Sequence, residues 1–370
     1  MMDDRVRKHA EVLVDWSARI DEGDDVMVSV AEDAHELAVA VAEKLGEVGA
    51  SVVSTYSSAE VSRAYLRAHD GNFEAGGHGR ALFEAADACL ILGGGRNTTA
   101  TADVGGEARR AYSRARTDLR EARMATDWVS TVHPTRSLAQ QAGMAYEEYR
   151  EFVYDAVLQD WEALAGKMAE MKEILDEGSE VRLVKERDDQ PNTDLTMSIE
   201  DRTAVNSAAS VVYDSHNLPS GEVFTAPCNT EGEVFFDVPM TINSRRVRGV
   251  RLVFEDGEVV DCVAEQGADE IESILETDEG ARRLGELGIG MNRGIDRVTD
   301  NVLFDEKMGD TVHLALGRAY DSNLPEGESG NESAVHVDMI TDVSEASHME
   351  VDGDVVQRDG RFRFEEGFEG

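Results

Sequence analysis

Residues 25–56 read DVMVSVAEDAHELAVAVAEKLGEVGASVVSTY, and this stretch decides the fold of the first half of the chain. DVMVSV, Asp25–Val30, is a short β-branched run between turn residues and reads as a strand. Asp33 and Glu36 then stand three apart at the head of a long apolar-periodic segment, the spacing of a capping box, and Gly49 is placed to close that helix. SVVSTY, Ser51–Tyr56, is a second strand. Strand, helix and strand within about thirty residues require a crossover connection, which is right-handed and makes the two strands parallel.

The pattern extends in both directions. Upstream, Val6, Ala10, Leu13, Ser17 and Ile20 recur at helical spacing. Downstream, ALFEAADACLILGGG is a helix end running into a buried strand that finishes in glycines. The following GGGRNTTA lacks both the Walker lysine and the dinucleotide spacing, so it reads as a glycine-rich turn. From Thr135 the period is helical for most of the distance to Gly178. Beyond it EVRLVKE, TDLTMSIED, GEVFFDVP and RVRGVRLVFEDGEVVDCVAEQ alternate at period two. The expected architecture is therefore α/β: a parallel-sheet domain over residues 1–178, followed by a strand-rich α+β domain over 179–370 that carries the chemistry. DGRFRFEEGFEG is expected to be a closing hairpin or a frayed tail.

Charge excludes one large class of partner. Lys and Arg together number 36 against 76 Asp and Glu, a formal net charge of -40, so nucleic acid is not an expected partner. The acids are dispersed and only six of the cations are lysines (Lys8, Lys44, Lys167, Lys172, Lys185 and Lys307), a balance that looks like salt adaptation. Self-repulsion on that scale is relieved when salt shortens the Debye length from ~10 Å at 0.1 M to ~3 Å at 1 M, so the fold is expected to loosen in dilute buffer. Cys89, Cys228 and Cys262 are too few and too scattered for a disulfide framework or a thiolate zinc site and read as small core residues. The charged N-terminus is unlike a signal peptide and no apolar run approaches ~18 residues, so no membrane partner and a cytoplasmic location are expected.

Four pieces of the second half set metal-competent side chains among glycines or small residues. They are NLPSGEVFTAP with Glu222, TDEGARRLGELGIGMN with Glu286, LFDEKMGDTVHLALGRAY with Asp305, Glu306, His313 and Tyr320, and NESAVHVDMI with His336 and Asp338. In a strand His336 and Asp338 share a face. Each piece alone has an ordinary reading: a turn carboxylate, a solvated charge, a satisfied core histidine, a core aromatic. His216 is expected to be structural. Together, two histidines and at least three carboxylates on glycine-rich segments point to a metal site.

The order of the pieces adds to this. GEVFTAP, Glu231-Gly232, TDEGARRLGELGIG, LFDEK, HLALGRAY and NESAVHVD, with HPTRSLAQQAGMAYEEYREFV in the first half, closely resemble the M29 family of thermophilic-type metalloaminopeptidases over essentially the whole chain. That resemblance implies two divalent metal ions held by Glu222, Glu286, His313, Tyr320, His336 and Asp338, with Glu306 a further acid beside them. It also implies small peptides as substrates and a homodimer whose sites face an enclosed cavity. DEKMGDTVH, between the acid and the histidine, is longer than the family's usual interval, and the connection from Tyr320 to His336 is compact and acidic, which bears on the pocket rim rather than on the ligands.

These residue types suit amide hydrolysis. Imidazole and carboxylate ligands suit zinc, cobalt or manganese, and a pair of such ions about 3.5 to 4 Å apart can activate a water and polarise a carbonyl. Glu286 is the expected bridge between the ions, Glu306 the group that moves the proton, and Tyr320 either a phenolate ligand or a donor to the oxyanion. Two other readings stand beside this one. His313, His336 and one of Glu222 or Asp338 would make a ferrous site of the kind found in ring-cleaving dioxygenases, and the same residues would also serve a metal- or peptide-binding protein without turnover.

Overall fold

The computed structural model describes residues 2–74, 76–242 and 245–369. Two compact units divide the chain: Met1–Gln159 with Ala209–Pro219, and Asp160–Ala208 with Ser220–Gly370. This division differs from a single cut near residue 178. Helix Trp161–Glu177 packs on the strands Val205–Ser207 and Glu222–Thr225 and so groups with the second unit. Among the described residues no helix is long and apolar enough to cross a membrane.

The first unit is built on a parallel sheet in the order Ser51–Ser57, Asp25–Ala31, Ala88–Gly93, Asp127–Val132, Asn217–Leu218. The crossover helix is His35–Val48, which buries Leu37, Ala40, Val41 and Leu45 at helical spacing and ends at Gly49 in the left-handed region. The expected capping box does not form. The N-cap is Ala34, without a side-chain bond, because the Asp33 carboxylate is taken by Arg96 at 2.7 Å. The opening helix, Asp4–Glu11, widens into a π-type turn over Val12–Ser17 that keeps Leu13, Val14 and Ser17 buried. GGGRNTTA is a turn: its strand ends at Gly93 and the next helix begins only at Gly106. The helical stretch from Thr135 is three helices, Arg136–Gln141, Tyr146–Val157 and Trp161–Glu177. Cys89 is buried, whereas Cys228 and Cys262 are only part-buried because their strands have a solvent-facing side.

The second unit holds two antiparallel sheets. In the larger, Glu180–Lys185 pairs with Thr193–Ser198 and with Ser347–Val351, each alternating buried with more accessible positions. Asp354–Arg358 and Arg361–Phe362 form the expected closing hairpin, with Phe362 buried. The smaller sheet runs His336–Asp342, Thr311–Gly317, Leu284–Gly290, Glu222–Thr225, Val205–Ser207. Every residue of its two central strands, Leu284–Gly290 and Thr311–Gly317, is buried, as expected of strands covered on both faces.

Candidate metal centre

Antiparallel register brings the expected ligands onto one face of the smaller sheet. Directly opposed residues share a face. Gly290 opposes Glu222, Gly288 opposes His313, Ala315 opposes both Glu286 and Asp338, and Gly317 opposes His336. Four strands thus deliver five donor side chains into a patch that also holds Gly288, Gly290, Ala315 and Gly317, with Phe224 and Ile340 on the same face. The glycines make room for protein rather than for an ion. A Cβ at Gly288 would stand 1.9 Å from His313 Nε2, and one at Gly290 would stand 2.0 Å from the Met308 carbonyl.

The donors form two groups that share one residue: Glu222, Glu286 and His313, and then Glu286, His336 and Asp338. His313 Nε2 lies 2.9 Å from Glu286 Oε1 and 3.6 Å from Glu222 Oε2, while His336 Nε2 lies 3.5 Å from Glu286 Oε2 and 3.4 Å from Asp338 Oδ1. The two oxygens of Glu286 therefore face different imidazoles. His336 Nδ1 donates to the Arg318 carbonyl at 2.8 Å, which fixes the ring and leaves Nε2 turned to the carboxylates. Glu222 Oε2 and Asp338 Oδ1 are buried and carry no hydrogen bond. Unsatisfied buried oxygens beside imidazole nitrogens fit divalent cations of the zinc, cobalt or manganese type.

Electrostatics agree with that fit. Burial raises the carboxyl groups of Glu222, Glu286 and Glu306 above their ordinary range. Burial alone would lower the two imidazoles, yet their carboxylate neighbours outweigh it and push both His313 and His336 up to about 9. Asp338 would likewise be raised by burial but is held low by His336 and His313. The carboxylates thus favour charged imidazoles, and a metal ion bound at these nitrogens would displace their protons.

Glu306 follows the short helix Val302–Asp305 and pairs with Lys307, whose Nζ also lies 3.4 Å from Glu222 Oε1. Lys307 is fully buried, and although burial opposes its charge, Glu222 and Glu306 hold its ammonium above its ordinary value. Sequence reasoning missed it: a lysine in an acidic segment reads as surface. Tyr320 stands at the edge, 44% exposed, its ring 4.9 Å from that of His336 and edge-on to Phe224. Asp305 stays out of the cluster, accepting from Thr299 and Asn301 to hold the preceding loop. His216 lies in the first unit, stacked on Trp128 with ring centroids 4.7 Å apart.

Known proteins are similar to this chain over nearly its whole length. The wild-type AmpT structure from Thermus thermophilus superposes with a TM-score of 0.85 at 27% identity, covering 98% of this chain and 100% of that one. Aminopeptidase T of Thermus aquaticus is 29% identical, over 95% of this chain and 94% of that protein. Aminopeptidase 2 of Geobacillus stearothermophilus is 28% identical, over 96% and 94%. The profile of the family described as Thermophilic metalloprotease (M29) matches residues 2–363, and the chain belongs to that family.

Proposed function

We propose that this protein is an aminopeptidase that removes N-terminal residues from small peptides with two divalent cations, one at each donor group. The carrying observation is Glu286, which turns Oε1 toward His313 and Oε2 toward His336, the disposition of a bridging carboxylate. When bound, such a pair supplies an activated water and polarises the scissile carbonyl. Glu222 and His313 would hold one ion with Glu286, and His336 and Asp338 the other. Glu306 takes the proton of the attacking water and returns it to the leaving amine, and Lys307 keeps that carboxylate placed beside Glu222. The Tyr320 hydroxyl, at the open edge, ligates or donates to the developing oxyanion. Carboxylates in excess of imidazoles suit a substrate that arrives with a free ammonium.

The ferrous, ring-cleaving reading needs both imidazoles on one ion, and among the described residues His313 and His336 fall in different groups. A panel of amino-acid nitroanilides and their N-acetylated counterparts, assayed in molar salt, tests the proposal. Release from the free amines alone, abolished by chelator and restored by zinc, cobalt or manganese, is the expected result. Equal release from acetylated substrates, or release in excess chelator, refutes it.

A further inference from the structure

The first unit contains a second kind of site. Between one face of its parallel sheet and the helices over it lies a cavity of about 670 Å³, within the range of small-molecule pockets. Strand residues such as Met27 and Ile91 form its floor, and Phe83 and Leu119 line it from the helices. The helices Gly77–Glu84, Gly106–Ala115 and Thr117–Met124 contain no fully buried residue, so the apolar groups they bring to the sheet line a space and not a closed core.

The charge around this space is opposite to that of the rest of the chain. Among the described residues twenty line it, and none of them is Asp or Glu, although at 76 acids in 370 residues about four would be expected. Three are arginines, Arg116, Arg120 and Arg123, and among the described residues none of the three has an acidic partner within ion-pair distance. Arg123 Nε is buried without a hydrogen bond while its guanidinium lies 4.8 Å over the Trp128 ring, and burial with no acid nearby draws it below its ordinary value. Several other arginines of the unit, Arg63, Arg80, Arg96 and Arg150, are paired with carboxylates. Arg116 and Arg120 are exposed and Arg123 is part-buried, with its Nε enclosed. An enclosed N–H without an acceptor is costly, and an anionic ligand would offset that cost.

From the acid-free lining, the three arginines without a carboxylate partner and the apolar floor, we infer that this cavity binds a small organic anion with an apolar body and no cationic group. A free amino acid or peptide is excluded because no carboxylate is present to receive its ammonium, so this is not a second substrate site. The carboxylate or sulfonate end meets the arginines and the apolar body lies against the sheet. The inference is independent of the metal centre.

Calorimetric titration of the full-length protein with 4-phenylbutyrate, its neutral amide and 4-phenylbutylamine tests it at one fixed salt concentration. The carboxylate should bind about tenfold or more tighter than the amide, the difference of a charge-assisted hydrogen bond, and the amine should not bind. R120Q/R123Q should abolish the preference and R120K/R123K should restore part of it, with near-ultraviolet circular dichroism reporting that the unit is folded. Equal binding of carboxylate and amide, binding of none of the three, or a preference that survives R120Q/R123Q in the folded protein overturns the inference.

Discussion

Gly288→Ala puts the geometry of the metal centre under the most specific stress. The new Cβ would lie 1.9 Å from His313 Nε2, 2.0 Å from Cε1 and 2.7 Å from Cδ2. Non-bonded atoms rest about 3.5 Å apart, so the ring must retreat by about 1.5 Å. Nε2 is the atom 2.9 Å from Glu286 Oε1, and metal sites tolerate displacements of only about 0.2 Å. Overpacking costs about 1–3 kcal/mol and alanine recovers about 0.5–1 kcal/mol of strand propensity, leaving a net loss of at most about 2.5 kcal/mol. The variant should therefore fold, with a slightly lowered urea midpoint, but lose metal on dialysis and lose about a hundredfold in turnover on leucine nitroanilide. Wild-type metal retention with kcat within twofold of wild type would refute the register and the burial of His313 beside Gly288.

Glu306→Gln should lower kcat by about 10² to 10⁴-fold with metal content near normal, measured by elemental analysis alongside turnover; loss of metal would make Glu306 a ligand. His9 is fully buried, its Nε2 2.7 Å from Thr131 Oγ1, and burial, with His133 adding to it, lowers its pKa from 6.5 to about 3. The folded state therefore holds His9 neutral: its contribution is complete above pH 6.5 and is lost as pH falls toward 3, at up to about 1.4 kcal/mol per pH unit. Urea midpoints at pH 7 and pH 5 should accordingly fall more in the wild type than in His9→Gln, and equal falls would contradict the neutral state. With a net charge of -40, thermal midpoints should rise between 0.1 and 2 M KCl, and a flat salt dependence would count against salt adaptation.

Much of the fold was legible because burial imposes periodicity. The Val26 and Val28 strand and the Leu37, Val41 and Leu45 helix face declare themselves by spacing. Long-range contacts were not legible. Asp33 has the spacing of a cap, but Arg96, 63 residues on, competes for its carboxylate. Ala209–Pro219 returns to the first unit through a two-residue parallel pairing of Asn217 and Leu218 with Ser130 and Thr131, too short to leave a pattern. At the site, His336 and Asp338 could be placed on one face from their spacing alone. The approach of Glu222, Glu286 and His313 depends on cross-strand register, and the burial of Lys307 depends on what the strands enclose. The glycines were expected to let backbone approach an ion, but what stands over Gly288 and Gly290 is His313 and Met308.

The bridging role proposed for Glu286 is tested most directly by titrating metal-free protein with zinc or cobalt while following bound metal and nitroanilide turnover together. Two ions per chain, with turnover appearing only as the second is filled and Glu286→Gln failing to hold the pair, is the predicted result. Full turnover with a single ion per chain, or with Glu286→Gln binding two ions at wild-type affinity, would contradict it.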